Sequence, residues 1–155
     1  ETVAAVNEQR KRAMGRKVVA DCGGNVRGKT VAVLGLTFKP NTDDMRDSPS
    51  LAILPPLAQA GAKIRAYDPQ AMENAKQFFE DIDYCADAYE TAEGADALVL
   101  ATEWNVFRAL DFDRVKKALR TPVLVDLRNV YDVNRMRALG FAYTSVGRAE
   151  DVRTH

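Results

Sequence analysis

The sequence predicts a doubly wound α/β fold, in which a mostly parallel sheet of about six strands is covered by helices on both faces. Three observations predict it. The runs Val31–Leu34 and Ala97–Leu100 are apolar without interruption, as a parallel strand buried on both sides requires. Segments of helical spacing separate such runs, so strand and helix alternate along the chain. At 155 residues the chain is long enough for one domain with a real core and too short for two of ordinary size.

The elements follow in order. Val3, Val6, Ala13, Met14 and Val18 recur at helical spacing over residues 2–21, and Gly23-Gly24 supply the stop. A helix of that length spans ~30 Å at 1.5 Å per residue. Either part of it packs against something beyond this domain, or it folds onto its own sheet. Thr30–Leu34 is the first strand. Pro49 to Ala60 reads as a helix with Leu51, Leu54, Leu57 and Ala58 inward and Gly61 behind its end. Pro55-Pro56 inside it should kink it or confine regular hydrogen bonding to the first turns. Lys63–Tyr67 is the second strand, and a helix from Gln70 to about Glu80 follows. Tyr84 marks a short edge strand, 87–92 a helical turn, and 95–101 the strongest strand. A helix over 112–119, a strand over 122–125, a helix over 133–139 and a last strand over 141–146 complete the pattern, which is Rossmann-like.

Composition excludes several partners. The 22 basic residues balance the 22 acidic ones, which argues against a nucleic-acid or anionic-membrane surface. No apolar run approaches the ~20 residues of a membrane span, and no signal peptide is visible. Cys22 and Cys85 form no metal-ligand spacing and read as free structural thiols of a reducing cytoplasm. The chain opens on Glu1 inside a helical pattern and is read as a piece of a longer protein.

The unusual residues share one address. Phe38, Lys39 and Arg46 follow the first strand; Thr102, Glu103 and Trp104 follow the long one; Arg128 follows the next. All lie at carboxyl ends of strands, where a doubly wound sheet holds its ligand. Lys39 and Arg46 sit on an unusually long loop, Gly35 to Ser48, that ends at a helix N-terminus. They mark an anion site, most simply for phosphate, or else two ordinary surface charges. Three cations and two aromatics suit a planar base with a diphosphate. Taken singly, Trp104 reads as core packing before base stacking, and Glu103 as a helix cap before a catalyst. Asp68, at the end of the second strand, reads as a turn residue capping the next helix before a ribose ligand, because the first turn is not G-x-G-x-x-G.

The stretch GLTFKPNTDDMRDSPS at 35–50 resembles the start of the C-terminal domain of the UDP-glucose/GDP-mannose dehydrogenases. AYDP at 66–69, ATEWNVF at 101–107 and VDLRNV at 125–130 agree in order. The resemblance covers about residues 28–147. It implies an NAD-dependent oxidation of a sugar C6 alcohol to a carboxylate, in two steps through a cysteine thioester. That cysteine would lie in a segment outside this chain, which then has no catalytic residue of its own. It further implies that Phe38, Lys39 and Arg128 bind a nucleotide sugar and that Arg46 faces NAD held on an N-terminal domain; Trp104 joins the substrate-binding residues on its place at the strand end alone. Residues 1–24 become the end of a linking helix that supports a homodimer, 25–147 the binding domain and 148–155 a disordered tail. A strand order of 3-2-1-4-5-6 is expected partly on the same ground. The UDP-glucose branch is read ahead of the GDP-mannose and UDP-N-acetylmannosamine branches.

Two other classes stay in view. A signalling receiver domain has a similar sheet, but it needs an acidic pair directly after the first strand, and Asp43-Asp44 lie well beyond it. A domain that works only in assembly, with a degenerate crevice, is the other.

Overall fold

A computed structural model of the chain describes residues 15–37, 41, 48 and 50–145. It contains one six-stranded sheet: β1 (Thr30–Leu34), β2 (Lys63–Tyr67), β3 (Asp83–Tyr84), β4 (Ala97–Leu100), β5 (Val123–Asp126) and β6 (Ala142–Ser145). The order is β3-β2-β1-β4-β5-β6, the expected one, and every neighbouring pair is parallel.

Alternation along β1 divides the interior in two. Val31 and Val33 face one side with Ile64, Ala66, Ala97 and Val99. There the helical residues 15–21 (α1), α2 (Ser50–Gln59) and α3 (Met72–Ala75) cover them with Val18, Ile53, Leu54, Leu57, Ala71 and Ala75. Ala32 and Leu34 face the other side with Leu98, Leu100 and Leu124. Cover comes from α4 (Ala88–Ala92), α5 (Asn105–Arg108), α6 (Phe112–Ala118) and α7 (Val133–Ala138). Full burial of each Val or Leu side chain contributes about 1.5–3 kcal/mol. With both faces covered, β1 and β4 read as unbroken apolar runs.

Local signals set most boundaries. Gly24 N–H reaches the Val19 carbonyl and Gly23 N–H that of Ala20, both at 3.0 Å, closing α1. The same paired bonds, Ala62 to Leu57 and Gly61 to Ala58, close α2. The side chains of Asp87, Asp111 and Asp132 accept from the third residue onward and start α4, α6 and α7.

Two expectations are corrected. Helix α2 continues through Pro55 and Pro56, with Ala60 N–H on the Pro56 carbonyl at 3.0 Å, so regular bonding is not confined to its first turns. A mid-helix proline costs ~3 kcal/mol or more; here the full burial of Ile53, Leu54 and Leu57 offsets that loss. The helix expected over 70–80 is the single turn α3. Its end tightens, since Gln77 and Phe78 bond three residues back to Asn74 and Ala75. One turn, α5, was not anticipated, because four residues are too few to show a period. The part of the first helix expected before residue 15, and the expected tail, lie outside the described residues.

Cys22 and Cys85 are free and buried, each 7% exposed. Burial first, then the charge of Asp21, pushes the Cys22 thiol from 9.0 up to about 11, against a smaller lowering by Lys29. At pH 8 the folded chain therefore carries about a hundredfold less Cys22 thiolate than the unfolded chain. Iodoacetamide is expected to label Cys22 at least about tenfold faster in denaturant than in buffer; equal rates would contradict this. A raised thiol pKa stabilises the fold fully below pH 9, and that contribution is lost as pH climbs from 9 towards 11.

Candidate active-site crevice at the carboxyl ends of the strands

Strand order reverses between β1 and β4, so the crevice of this sheet opens at their carboxyl ends. Gly35 ends β1 with φ +94° and gives its N–H to the Tyr67 carbonyl at 2.8 Å. The next residue, Leu36, is a junction. Its N–H goes to Asp68 Oδ2 at 2.7 Å, and its carbonyl accepts both Ser48 Oγ at 2.6 Å and Ser50 Oγ at 2.9 Å. The loop carrying Phe38, Lys39 and Arg46 thus leaves and rejoins the fold at one point. Thr102 Oγ1 donates to the Thr37 carbonyl at 2.5 Å, tying the stem of that loop to the end of β4.

Two fully buried carboxylates organise the remaining strand ends. Asp68 Oδ1 accepts from Gln70 and Ala71 N–H, both at 2.9 Å, which is the turn role expected of it; it does not cap α3, whose N-cap position is Ala71. Its Oδ2 also takes the Trp104 indole N–H at 3.1 Å, in addition to Leu36. Four donors from three loops therefore meet on one side chain. Asp126 does the same after β5, accepting from the N–H groups of Arg128, Val130 and Tyr131 and from the Tyr143 hydroxyl. Burial, with the Asp126 charge next, pushes the Tyr131 phenol up; its hydroxyl donates to the Phe107 carbonyl at 2.7 Å.

Above these carboxylates stands a charged pair. Leu100 and Asp126 are partners in the β4–β5 register, which sets Glu103 and Arg128 at the same height on neighbouring loops. Arg128 Nη2 donates to Glu103 Oε1 at 2.9 Å, and Arg108 approaches Glu103 Oε2 at 3.7 Å. Glu103 precedes α5 but does not cap it: the N-cap position is Trp104, and no side chain caps the helix.

Of the expected ligand residues, the structure thus brings Arg128 to the crevice. Trp104, expected at the ligand, is 5% exposed and lies in the core beneath α5; its ring packs and its N–H holds Asp68. Phe38, Lys39 and Arg46 lie outside the described residues. Sequence reasoning missed Asp126, whose only signal was the D-x-R after a strand, and the bonds by which Ser48 and Ser50 close the loop on the Leu36 carbonyl. Among the described residues, no group of three or more His, Cys, Asp or Glu is placed to hold a metal ion, and no helix is long and apolar enough to cross a membrane.

The model of the UDP-glucose/GDP-mannose dehydrogenase family, UDP binding domain, matches residues 32–133. The chain belongs to this family. The UDP-glucose 6-dehydrogenase of Rhizobium meliloti (strain 1021) is 59% identical over 150 residues, 97% of this chain and 34% of that protein. That of Pseudomonas aeruginosa (strain PAO1) is 46% identical over 131 residues, 81% of this chain and 29% of its own. Among solved structures, a UDP-glucose dehydrogenase from Pyrobaculum islandicum superposes with a TM-score of 0.66 at 29% identity, covering 92% of this chain and 30% of that one. The chain spans about a third of the length of these relatives.

The UDP-binding-domain match begins inside β1 and ends at the first residue of α7. Every loop of the crevice falls within it, whereas α1 and β6 lie outside. A cavity of about 700 Å³ on the far edge of the sheet is not part of the crevice: Lys63, Arg65, Lys76, Asp83 and Glu93 line it. Its charges are engaged locally, Lys63 with Asp83 at 3.7 Å and Arg65 with the Glu93 carbonyl at 2.7 Å.

Proposed function

We propose that the chain is the C-terminal nucleotide-sugar-binding domain of an NAD-dependent UDP-glucose 6-dehydrogenase, with a GDP-mannose or UDP-N-acetylmannosamine enzyme as the runner-up. The observation that carries this reading is the guanidinium of Arg128. It is fixed at the carboxyl end of β5, one strand from the switch point, where a diphosphate is held in this class of sheet. A planar fork of N–H donors matches phosphate oxygens two at a time. The names of the relatives and the family match support the uridine base.

In this reading the full-length enzyme oxidises the sugar C6 alcohol to a carboxylate in two successive steps. NAD supplies the hydride acceptor for both, held mainly by an N-terminal domain. This chain's share is to bind and orient the nucleotide: Phe38, Lys39 and Arg128 reach the substrate, Trp104 acts through Asp68, and Arg46 faces the dinucleotide. Neither cysteine here is a nucleophile, since both are buried and the Cys22 thiol is held protonated. Residues 1–24 serve as the linking helix of a cytoplasmic homodimer, and 148–155 as a tail.

Calorimetry with UDP and GDP tests the assignment. UDP is expected to bind more tightly than GDP, and Arg128→Ala and Lys39→Ala are each expected to weaken UDP at least about tenfold, the loss of a charge-assisted hydrogen bond. Equal weak binding by wild type and both variants contradicts it.

A further inference from the structure

We infer that Glu103 is a positioning residue for nucleotide binding: it holds the Arg128 guanidinium in the orientation that receives the diphosphate. The inference rests on the proposed function and deepens it.

Arg128 is held at both ends. Its backbone N–H is bonded to Asp126 Oδ1 at 2.9 Å, and its guanidinium to Glu103 Oε1 at 2.9 Å. The first bond fixes where the side chain starts, the second where it finishes. An arginine side chain left free between those points samples many rotamers, and ordering it upon binding weakens affinity by up to about tenfold. Glu103 does that ordering in advance. Its other oxygen faces Arg108 at 3.7 Å, so the carboxylate is itself steadied from the far side. The three groups, Arg128, Glu103 and Arg108, form an alternating row. Glu103 is 33% and Arg128 25% exposed in their side chains, so the pair is open enough to meet a ligand and is not a sealed structural bridge.

Charge alone predicts the opposite sign. A carboxylate beside an anion site repels the anion, and removing it tightens binding. Positioning predicts that removal weakens binding although the crevice becomes more positive. The two accounts therefore separate on one measurement.

The experiment is UDP calorimetry and thermal melting on the 155-residue chain as wild type, Glu103→Ala, Glu103→Gln, Arg128→Ala and the Glu103→Ala/Arg128→Ala double variant. Glu103→Ala is expected to weaken UDP by up to about tenfold. Glu103→Gln keeps an acceptor for Arg128 and is expected to stay within about threefold of wild type, because the bond remains charge-assisted from the arginine side. The double variant should bind no more weakly than Arg128→Ala, because the two residues act as one unit. The melting temperatures of both Glu103 variants should stay within about 4 °C of wild type, as for a partly exposed pair. Tighter or unchanged binding by Glu103→Ala overturns the inference. So does a loss shared equally by Glu103→Gln and matched by a fall in melting temperature, which marks a merely structural bridge. If wild type binds UDP and Arg128→Ala does not, a Glu103→Ala variant that binds as tightly as wild type sinks the positioning role alone. If wild type itself does not bind UDP, the proposed function falls, and the inference with it.

Discussion

Asp126→Ala is expected to lower the stability of the fold by about 3–5 kcal/mol, because a truncated carboxylate strands several buried donors at once. The N–H groups of Arg128, Val130 and Tyr131 and the Tyr143 hydroxyl all end on its two oxygens, at 2.7 to 3.0 Å. Each buried donor left without an acceptor costs about 1–3 kcal/mol, and partial repair by Tyr143, which also reaches the Tyr131 carbonyl, keeps the sum below the simple total. For a chain of this size the melting temperature should fall by roughly 6–20 °C. Guanidinium unfolding checks the value; a shift under about 1 kcal/mol, typical of a surface change, would show that the carboxylate is not the organiser of the β5 loop. Nucleotide affinity is expected to fall as well, since Arg128 hangs from the same carboxylate.

Gly35→Ala is expected to cost about as much, roughly 3–5 kcal/mol, for two separate reasons that add. With φ at +94° the backbone is in a region where a side chain is strained whatever the space. Space is also lacking: a Cβ there would stand 2.5 Å from Thr102 Cβ, 2.6 Å from its Oγ1 and 2.6 Å from its backbone N. The last contact decides the companion experiment. Thr102→Ala removes the hydroxyl clash but cannot move the amide, so the Gly35→Ala/Thr102→Ala double variant should recover little. Full recovery, read from unfolding midpoints, would show that the close approach of β1 and β4 is a matter of one side chain. Behind this glycine lies the mouth of the crevice, where Thr102 bonds the Thr37 carbonyl, so the tight approach of the two strand ends is part of how the site is built.

Much of this fold can be read from the residues. The unbroken apolar runs of β1 and β4 require burial on both faces, and the alternation of strand and helical spacing places α2, α4, α6 and α7 between successive strands. What cannot be read is any contact made across the sheet. Asp68 signals a turn for the residues just after it; its bonds to Leu36 and Trp104 depend on which strands are neighbours. Glu103 meets Arg128 only because β4 and β5 are adjacent and in the register that pairs Leu100 with Asp126. Trp104 shows both sides: taken singly it reads as core packing, and the ring does go inward, but the buried carboxylate that its indole N–H finds is two strands away and left no mark in the sequence. The shortness of α3 was hidden too, since tightening at Gln77 and Phe78 leaves no mark in the apolar spacing; Phe78 is left 56% exposed.

The central claim is that the strand-end crevice of this chain receives the nucleotide diphosphate. The most direct test is a UDP titration followed amide by amide in the nuclear magnetic resonance spectrum. The largest shifts are expected at Leu36 and Thr37, at Glu103 and Trp104, and at Arg128 and Asn129, on three loops at one end of the sheet. Shifts centred instead on Lys63, Arg65 and Tyr84, beside the cavity at the far edge, or no saturable shifts anywhere, would contradict it.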